Sequence, residues 1–329
     1  MGRLCIIYRP SPEVDRWIPG DRWVRPLARR LIRGRPRPSG LDKVFLNLCL
    51  GLDRLGIRYT ANPRFNSLKS GDRVGVLGRG RSGLEGYDRP DPVLAGIGLM
   101  THPSEWPTLF EDYPVACYLQ HSEWAAAPYR KAFGERCPTW PVGIDTQHWA
   151  PRVQTRDKPV DFLIYDKLHW DVHVLTQTLL DPLIAEISRR GMSHRLIRYG
   201  AYNPGSFRAE LDQCKAAIFL SSHESEGIAC LEAMAAGVPV LAWDPGTCLD
   251  PARFAWGEPE IPSTSVPFFD VRCGRTFRDA VAFQTKLDEF LEALNGNRLR
   301  PRDYIMEHLT VEKCSQAFVD LIKCHLGDW

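Results

Sequence analysis

The stretch 221–246, SSHESEGIACLEAMAAGVPVLAWDPG, gathers residues whose types and spacing can do chemistry. An apolar run ends at Ser221, and a helix is expected from Ile228 to Ala236, stopped by Gly237 with Pro239 beyond. Its first amides, those of Gly227 and Ile228, would lie at the positive end of the helix dipole, where unpaired N–H groups favour a phosphate. Gly227 lets that phosphate come close to the backbone, and Ser225 and Glu226 complete the loop before it. Glu224 lies in this loop, and Glu232 lies in the second helical turn, about 7 Å further along at the helical rise. A carboxylate accepts two hydroxyl hydrogen bonds well, which suits a diol. Glu232 could hold a ribose and Glu224 a second sugar. Taken singly, each acid has a plainer reading. A loop Glu can simply complement the dipole, for about 0.3–1 kcal/mol, and a helical Glu is ordinarily solvated. The strand–loop–helix context and the joint spacing favour a site.

The elements that must position these acids follow from the rest of the chain. Its 329 residues favour two domains. The apolar fraction of 44% and charged fraction of 25% are those of a globular protein and exclude a disordered chain. Strands are expected at Leu4–Tyr8, Ile57–Thr60, Arg73–Leu77, Val93–Met100, Val115–Gln120 and Trp140–Ile144, with a helix from Asp42 stopped by Gly56. The alternation restarts after a linker at Asp157–Pro159. Strands follow at Val160–Tyr165, His194–Tyr199, Ala216–Ser221 and Val238–Trp243, with helices at Val174–Arg190, Phe207–Cys214 and Ile228–Ala236. The end, Phe277–Ala293 and Val311–Leu326, reads as helical. Strands alternating with helices imply a parallel sheet covered on both faces. The class is therefore α/β with two doubly wound domains, 1–150 and 151–329.

A second glycine signal, Gly78-Arg79-Gly80-Arg81-Ser82-Gly83, fits G-x-G-x-x-G after a strand. Its context does not suit a dinucleotide: no helix opens after it, and Pro90 and Pro92 follow. It reads as a tight loop, with Arg79 and Arg81 able to meet an anion. The ten cysteines show no C-x-x-C spacing and read as free thiols of a reducing cytoplasm. No D-x-D occurs, so neither a metal nor another cofactor is expected.

The residues Glu224–Gly227 and Leu231–Val240 together resemble the donor-site signature of retaining glycosyltransferases of the GT-B fold, the family 4-like group. Gly143-Ile144-Asp145 and the residues to Pro151 resemble the same group's segment at the close of its first domain. The resemblance implies two Rossmann-like domains facing a central cleft, with the last helix crossing back onto the first. It implies a nucleoside-diphosphate sugar, UDP- or GDP-linked, held by the second domain and a glycan or lipid-linked acceptor held by the first. In the group a paired Arg and Lys meets the pyrophosphate; here Tyr165-Asp166-Lys167-Leu168 leaves Lys167 for that role. Base recognition is expected at Tyr199 and Gly200. A nucleotide-sugar epimerase or a non-catalytic nucleotide-sugar-binding partner on the same fold are the alternatives.

The first half is expected to supply acceptor contacts and a His near the reacting carbon. His121 and His102 both follow strands, and either could equally be a core-edge His. Residues 1–40 hold ten Arg against Glu13, Asp15 and Asp21, a local +7 in a chain of net +2. Arg29 and Arg30 lie there among Trp and Pro. This segment is expected to meet an acceptor's phosphate or an anionic membrane face from the cytoplasmic side, or else to be a solvated loop. Nucleic acid is excluded as a partner, because the rest of the chain is net acidic.

Overall fold

The computed structural model describes residues 2–9, 39–78, 80–201 and 204–329. Arg29, Arg30 and Arg79, and a short helix the sequence suggests after Pro26, lie outside the described residues. The chain forms two compact units. Unit 1 comprises Met1–Gln120, Tyr129–Pro138 and Ser315–Trp329, and unit 2 comprises His121–Pro128 and Thr139–Cys314.

Unit 1 is built on a parallel sheet of β1 (Leu4–Arg9), β2 (Tyr59–Ala61), β3 (Arg73–Gly78), β4 (Val93–Gly96) and β5 (Val115–Leu119), in the order β2-β1-β3-β4-β5. Helix α1 (Gly40–Arg54) begins in a capping box, with Asp42 N–H donating to Ser39 Oγ and Ser39 N–H to Asp42 Oδ2. Its stripe Val44, Leu48, Leu52 is buried. The G-x-G-x-x-G segment makes a 3-10 turn at Arg81–Gly83 and no helix. Its glycines serve close packing: a Cβ on Gly83 would sit 2.4 Å from Leu99 Cδ2, and one on Gly78 would sit 2.6 Å from Arg9 O. Helix α2 (Glu123–Phe133), not foreseen in the sequence, carries Pro128.

Unit 2 repeats the plan with β6 (Val160–Lys167), β7 (His194–Arg198), β8 (Cys214–Ser221), β9 (Val240–Trp243) and β10 (Gly274–Phe277), in the order β10-β9-β8-β6-β7, again all parallel. Helices α3 (Asp181–Arg189), α4 (Pro204–Gln213), α5 (Ile228–Ala235), α6 (Ala280–Asn295) and α7 (Pro301–His308) connect and flank these strands. Phe162, Leu163, Ile164, Ala216, Ile218 and Leu220 are at most 1% exposed, as expected for central parallel strands buried on both faces. The final helix α8 (Val311–Leu326) enters unit 1 at Ser315, whose hydroxyl donates to Leu48 O, and Phe318 packs under Gly75.

Several expected boundaries move for local reasons. Trp140–Ile144 is no strand: Pro141 cannot donate to a ladder, and only Ile144 bridges, to Thr310. β4 stops at Gly96, because Ile97 takes a positive φ of 46°. The helix expected over Val174–Arg190 starts at Val172 and loosens to a π turn at Thr176–Leu180, just before Pro182. Phe277 closes β10, and α6 starts after the cap of Asp279, whose Oδ1 accepts from Ala282 N–H. All ten cysteines are free, and Cys324 is the exposed one. Among the described residues no helix is long and apolar enough to cross a membrane.

Lys158 is 3% exposed and donates from Nζ to Leu211 O, in the last turn of α4. Burial lowers its pKa to about 8, against a smaller raising effect of Asp212. Between about 8 and the unfolded value of 10.5 the unfolded chain binds more protons here, so this group's contribution to stability rises with pH. Denaturant unfolding should show wild type gaining up to about 1.4 kcal/mol per pH unit over Lys158→Met from pH 8 to 10. Parallel curves for the two proteins would refute the assignment.

Candidate functional site

Both sheets have the 2-1-3-4-5 order, and in such sheets ligands bind beyond the carboxyl ends of the first and third strands, where the connections part in opposite directions. In unit 2 those strands are β6 and β8. Their register pairs Lys167 with Ser221, so the two last residues stand side by side. Glu224, three residues beyond β8, turns back to this point. Lys167 Nζ lies 2.6 Å from Glu224 Oε1 and 2.8 Å from Oε2, and Ser221 Oγ donates to Oε1 at 2.8 Å. The Lys167 and Glu224 side chains are 19% and 11% exposed.

The chain then turns through Gly227, at φ +78°, into α5. Any side chain there would be strained by the positive φ, although a Cβ would have room beside Glu224. The first helical hydrogen bond runs from Leu231 N–H to Gly227 O. The amides of Ile228, Ala229 and Cys230 precede it at the positive end of α5. At the other end Arg302, from α7, donates to Ala235 O at 2.6 Å and to Thr146 O at 3.1 Å, placing a cation at the carboxyl terminus.

The loop of Glu224 is fixed through its backbone. Glu224 N–H donates to Thr264 O, and Trp124 Nε1–H donates to Glu224 O at 2.9 Å. Thr264 is itself anchored, its hydroxyl donating to Asp244 Oδ2 just past β9. Aromatic rings line the same place. Trp170 stacks on His223 at 5.1 Å, Trp124 meets the edge of His223, and His169 meets the edge of Tyr199. Lys167 Nζ lies 4.8 Å from the Tyr199 ring centre. Burial holds the pKa of both His169 and His223 below the ordinary value, with Lys167 adding in the same direction.

Among the sequence-stated candidates, the structure brings together Lys167, Tyr199, Glu224, Gly227 and Ile228. Gly200 follows Tyr199 in a turn at φ +82°, and Ser225 is exposed on the loop. Glu232 sits in the second turn of α5 and is 6% exposed. Glu226 points inward at 3% exposure: its Oε1 accepts from Val142 N–H at 2.8 Å, and its Oε2 lies 2.9 Å from His121 Nδ1. His121, also buried, lies behind the loop, but its Nδ1 and Glu226 Oε2 do not meet with hydrogen-bond geometry. His102 belongs to unit 1, where its Nδ1 lies 2.8 Å from Ser104 Oγ at the start of a 3-10 turn. Arg81 folds onto its own unit, bonded to Glu105 O and lying over Trp106. Trp124, His169, Trp170, His223 and Thr264 received no role from the sequence. The first four lie within a few residues of a named candidate, whereas nothing in the sequence points to Thr264. His169 and His173 are four residues apart, yet they do not share a helical face, because the turn begins at Val172. Among the described residues no three His, Cys, Asp or Glu side chains cluster as a metal site.

Residues 150–252 match the family described as glycosyl transferases group 1. This segment contains Lys167, Tyr199, Glu224, Gly227 and Glu232. A search of curated proteins finds no match. Among solved structures, a glycosyltransferase from Rickettsia africae ESF-5 is similar at a TM-score of 0.57 and 11% identity, over 100% of both chains. The lipopolysaccharide outer core galactosyltransferase WaaB in its apo form follows at 0.54 and 10%, over 98% of this chain and 99% of that one. Sucrose-phosphate synthase from Thermosynechococcus elongatus is similar at 0.53 and 11%, with the same coverage. The fold is GT-B: two doubly wound, Rossmann-like units.

The inward pair gives a stability test. Glu226→Leu leaves the Val142 N–H without its acceptor in the interior, and should cost about 1–3 kcal/mol in denaturant unfolding. Equal stability of Glu226→Leu and wild type would show that the contact contributes nothing.

Proposed function

We propose that this protein is a retaining glycosyltransferase that moves a sugar from a nucleoside-diphosphate sugar to a glycan or lipid-linked acceptor. The observation that carries the reading is the convergence of Lys167, Glu224 and the amino end of α5 at the carboxyl ends of β6 and β8. The family matched by this segment supports it. In this reading the donor diphosphate lies against Lys167 and the first amides of α5. Glu224 accepts hydroxyls of the transferred sugar, and Glu232 those of the ribose. The base lies by Tyr199 and Gly200. As the bond from the anomeric carbon to the diphosphate oxygen breaks, negative charge grows on the diphosphate, where the helix end and the ammonium of Lys167 favour it. The acceptor oxygen bonds to the anomeric carbon, and its proton passes to the departing phosphate, so no side-chain base is required. His121 lies behind the loop, beside Glu226.

The acceptor falls to the first half of the chain, with Arg29, Arg30, Arg79, Arg81 and His102 as its candidate contacts. The Arg- and Trp-rich segment localises the protein on the anionic inner face of a membrane, in the cytoplasm. Because Lys167 and the helix end supply the positive field, transfer proceeds without a metal ion and should survive EDTA.

A thermal-shift panel of nucleoside diphosphates and sugar nucleotides identifies the donor, and transfer assays then follow. Glu224→Gln should lower turnover by about 10²-fold or more. Glu232→Ala should chiefly raise the donor KM, by about tenfold. Unchanged kinetics in both would remove the site assignment. Replacing Arg29, Arg30 and Arg33 together by Ser should weaken transfer and leave donor affinity intact; a loss of donor affinity would place those arginines at the nucleotide instead.

A further inference from the structure

Lys167 and Glu224 each satisfy the other's charge, so on the donor reading above each takes the place of the other's ligand. The ammonium lies within 2.8 Å of both carboxylate oxygens, and the pair is largely enclosed. Among the described residues the carboxylate has one further donor, the Ser221 hydroxyl. Burial lowers the pKa of His169 and His223 beside it, which disfavours a second positive charge there. The backbone of Glu224 is tied on both sides, to Thr264 O and to the Trp124 indole. For the carboxylate to follow the ammonium by a movement of the loop, these two bonds would have to break.

We propose that the Lys167–Glu224 pair is a latch that selects the complete sugar nucleotide over the nucleoside diphosphate; this rests on the donor reading above. A diphosphate can engage Lys167 only by drawing it off Glu224. That leaves an enclosed carboxylate with a single hydroxyl partner, a costly state for a charge shielded from water. The sugar of the complete donor offsets this cost by giving its hydroxyls to Glu224. The diphosphate product offers nothing in their place. Once the sugar has moved to the acceptor, Glu224 recaptures Lys167 and the diphosphate leaves. Glu224 thus serves twice, as a sugar contact before transfer and as the group that expels the product after it.

Isothermal titration of the full chain with UDP, GDP and ADP, and with UDP-glucose, GDP-mannose and ADP-glucose, tests this in wild type, Glu224→Gln, Glu224→Ala, Lys167→Met and the Glu224→Gln/Lys167→Met double variant. Wild type should bind one sugar nucleotide about tenfold or more tighter than its diphosphate. Glu224→Gln and Glu224→Ala should bind that diphosphate about tenfold tighter than wild type, and should lose the preference for the sugar nucleotide. The gain should vanish when Lys167 is Met. Equal or weaker diphosphate affinity in both Glu224 variants overturns the latch. So does a gain that persists without Lys167, which would reflect only the removal of a repelling charge. Absence of nucleotide binding in every protein, wild type included, overturns the donor reading itself.

Discussion

A lysine at residue 167 and a glutamate at 224 meet because β6 and β8 are neighbours that run the same way. Both strands are buried on both faces, so their interiors admit only apolar side chains. Polar groups are left to the strand ends: Asp161 and Lys215 pair at the amino ends, and Lys167 and Ser221 stand together where the chain leaves the sheet. The strand order then decides which ends stand together: β7 lies outside β6, and β9 lies outside β8, so the loops after β6 and β8 diverge and leave a space between them. Lys167, Ser221 and Glu224 fill that space. The same geometry aims the start of α5 at it, because α5 is the crossover that follows β8.

Precision comes from the supports. Thr264 and Trp124 fix the two backbone groups of Glu224, and Asp244 fixes Thr264. Glu226, one residue before the helical turn, is held from inside by the Val142 N–H, with His121 beside it. Alternate residues of one loop therefore face opposite ways: Glu224 toward the space beyond the strands, Glu226 into the interior. Arg302 holds the far end of α5.

The sequence displays the site's centre well, because the chemistry there is local. Glu224 and Gly227 before an apolar helix lie within four residues of each other, and Lys167 closes a strand whose own pattern is plain. The alternation of β6, β7, β8 and β9 is legible for the same reason. What stays hidden depends on contacts between distant residues. That Glu226 turns inward goes with its bond from Val142, more than eighty positions earlier, and no local pattern announces it. Thr264 lies in an irregular loop with no period to read. β10 is short and half-polar, so it merges with the helix after it. Trp140–Ile144 has the composition of a strand, but Pro141 denies it a ladder. The Lys167–Glu224 pairing lies between these cases: both residues stand out singly, but their contact needs the register of β6 against β8.

The units do not divide the chain at one point. His121–Pro128 belongs to unit 2 although its flanks belong to unit 1, and Ser315–Trp329 returns to unit 1 after the whole of unit 2. The chain therefore changes unit four times. A chimera made at a single junction near residue 150 would carry the sheet and the loop of Glu224, but would leave Trp124 and His121 behind. It would also strip unit 1 of Phe318 and Ser315. Exchanging unit 2 between proteins of this design thus demands a graft with several seams, and recombination at one crossover would yield two halves that each lack a piece of their own core.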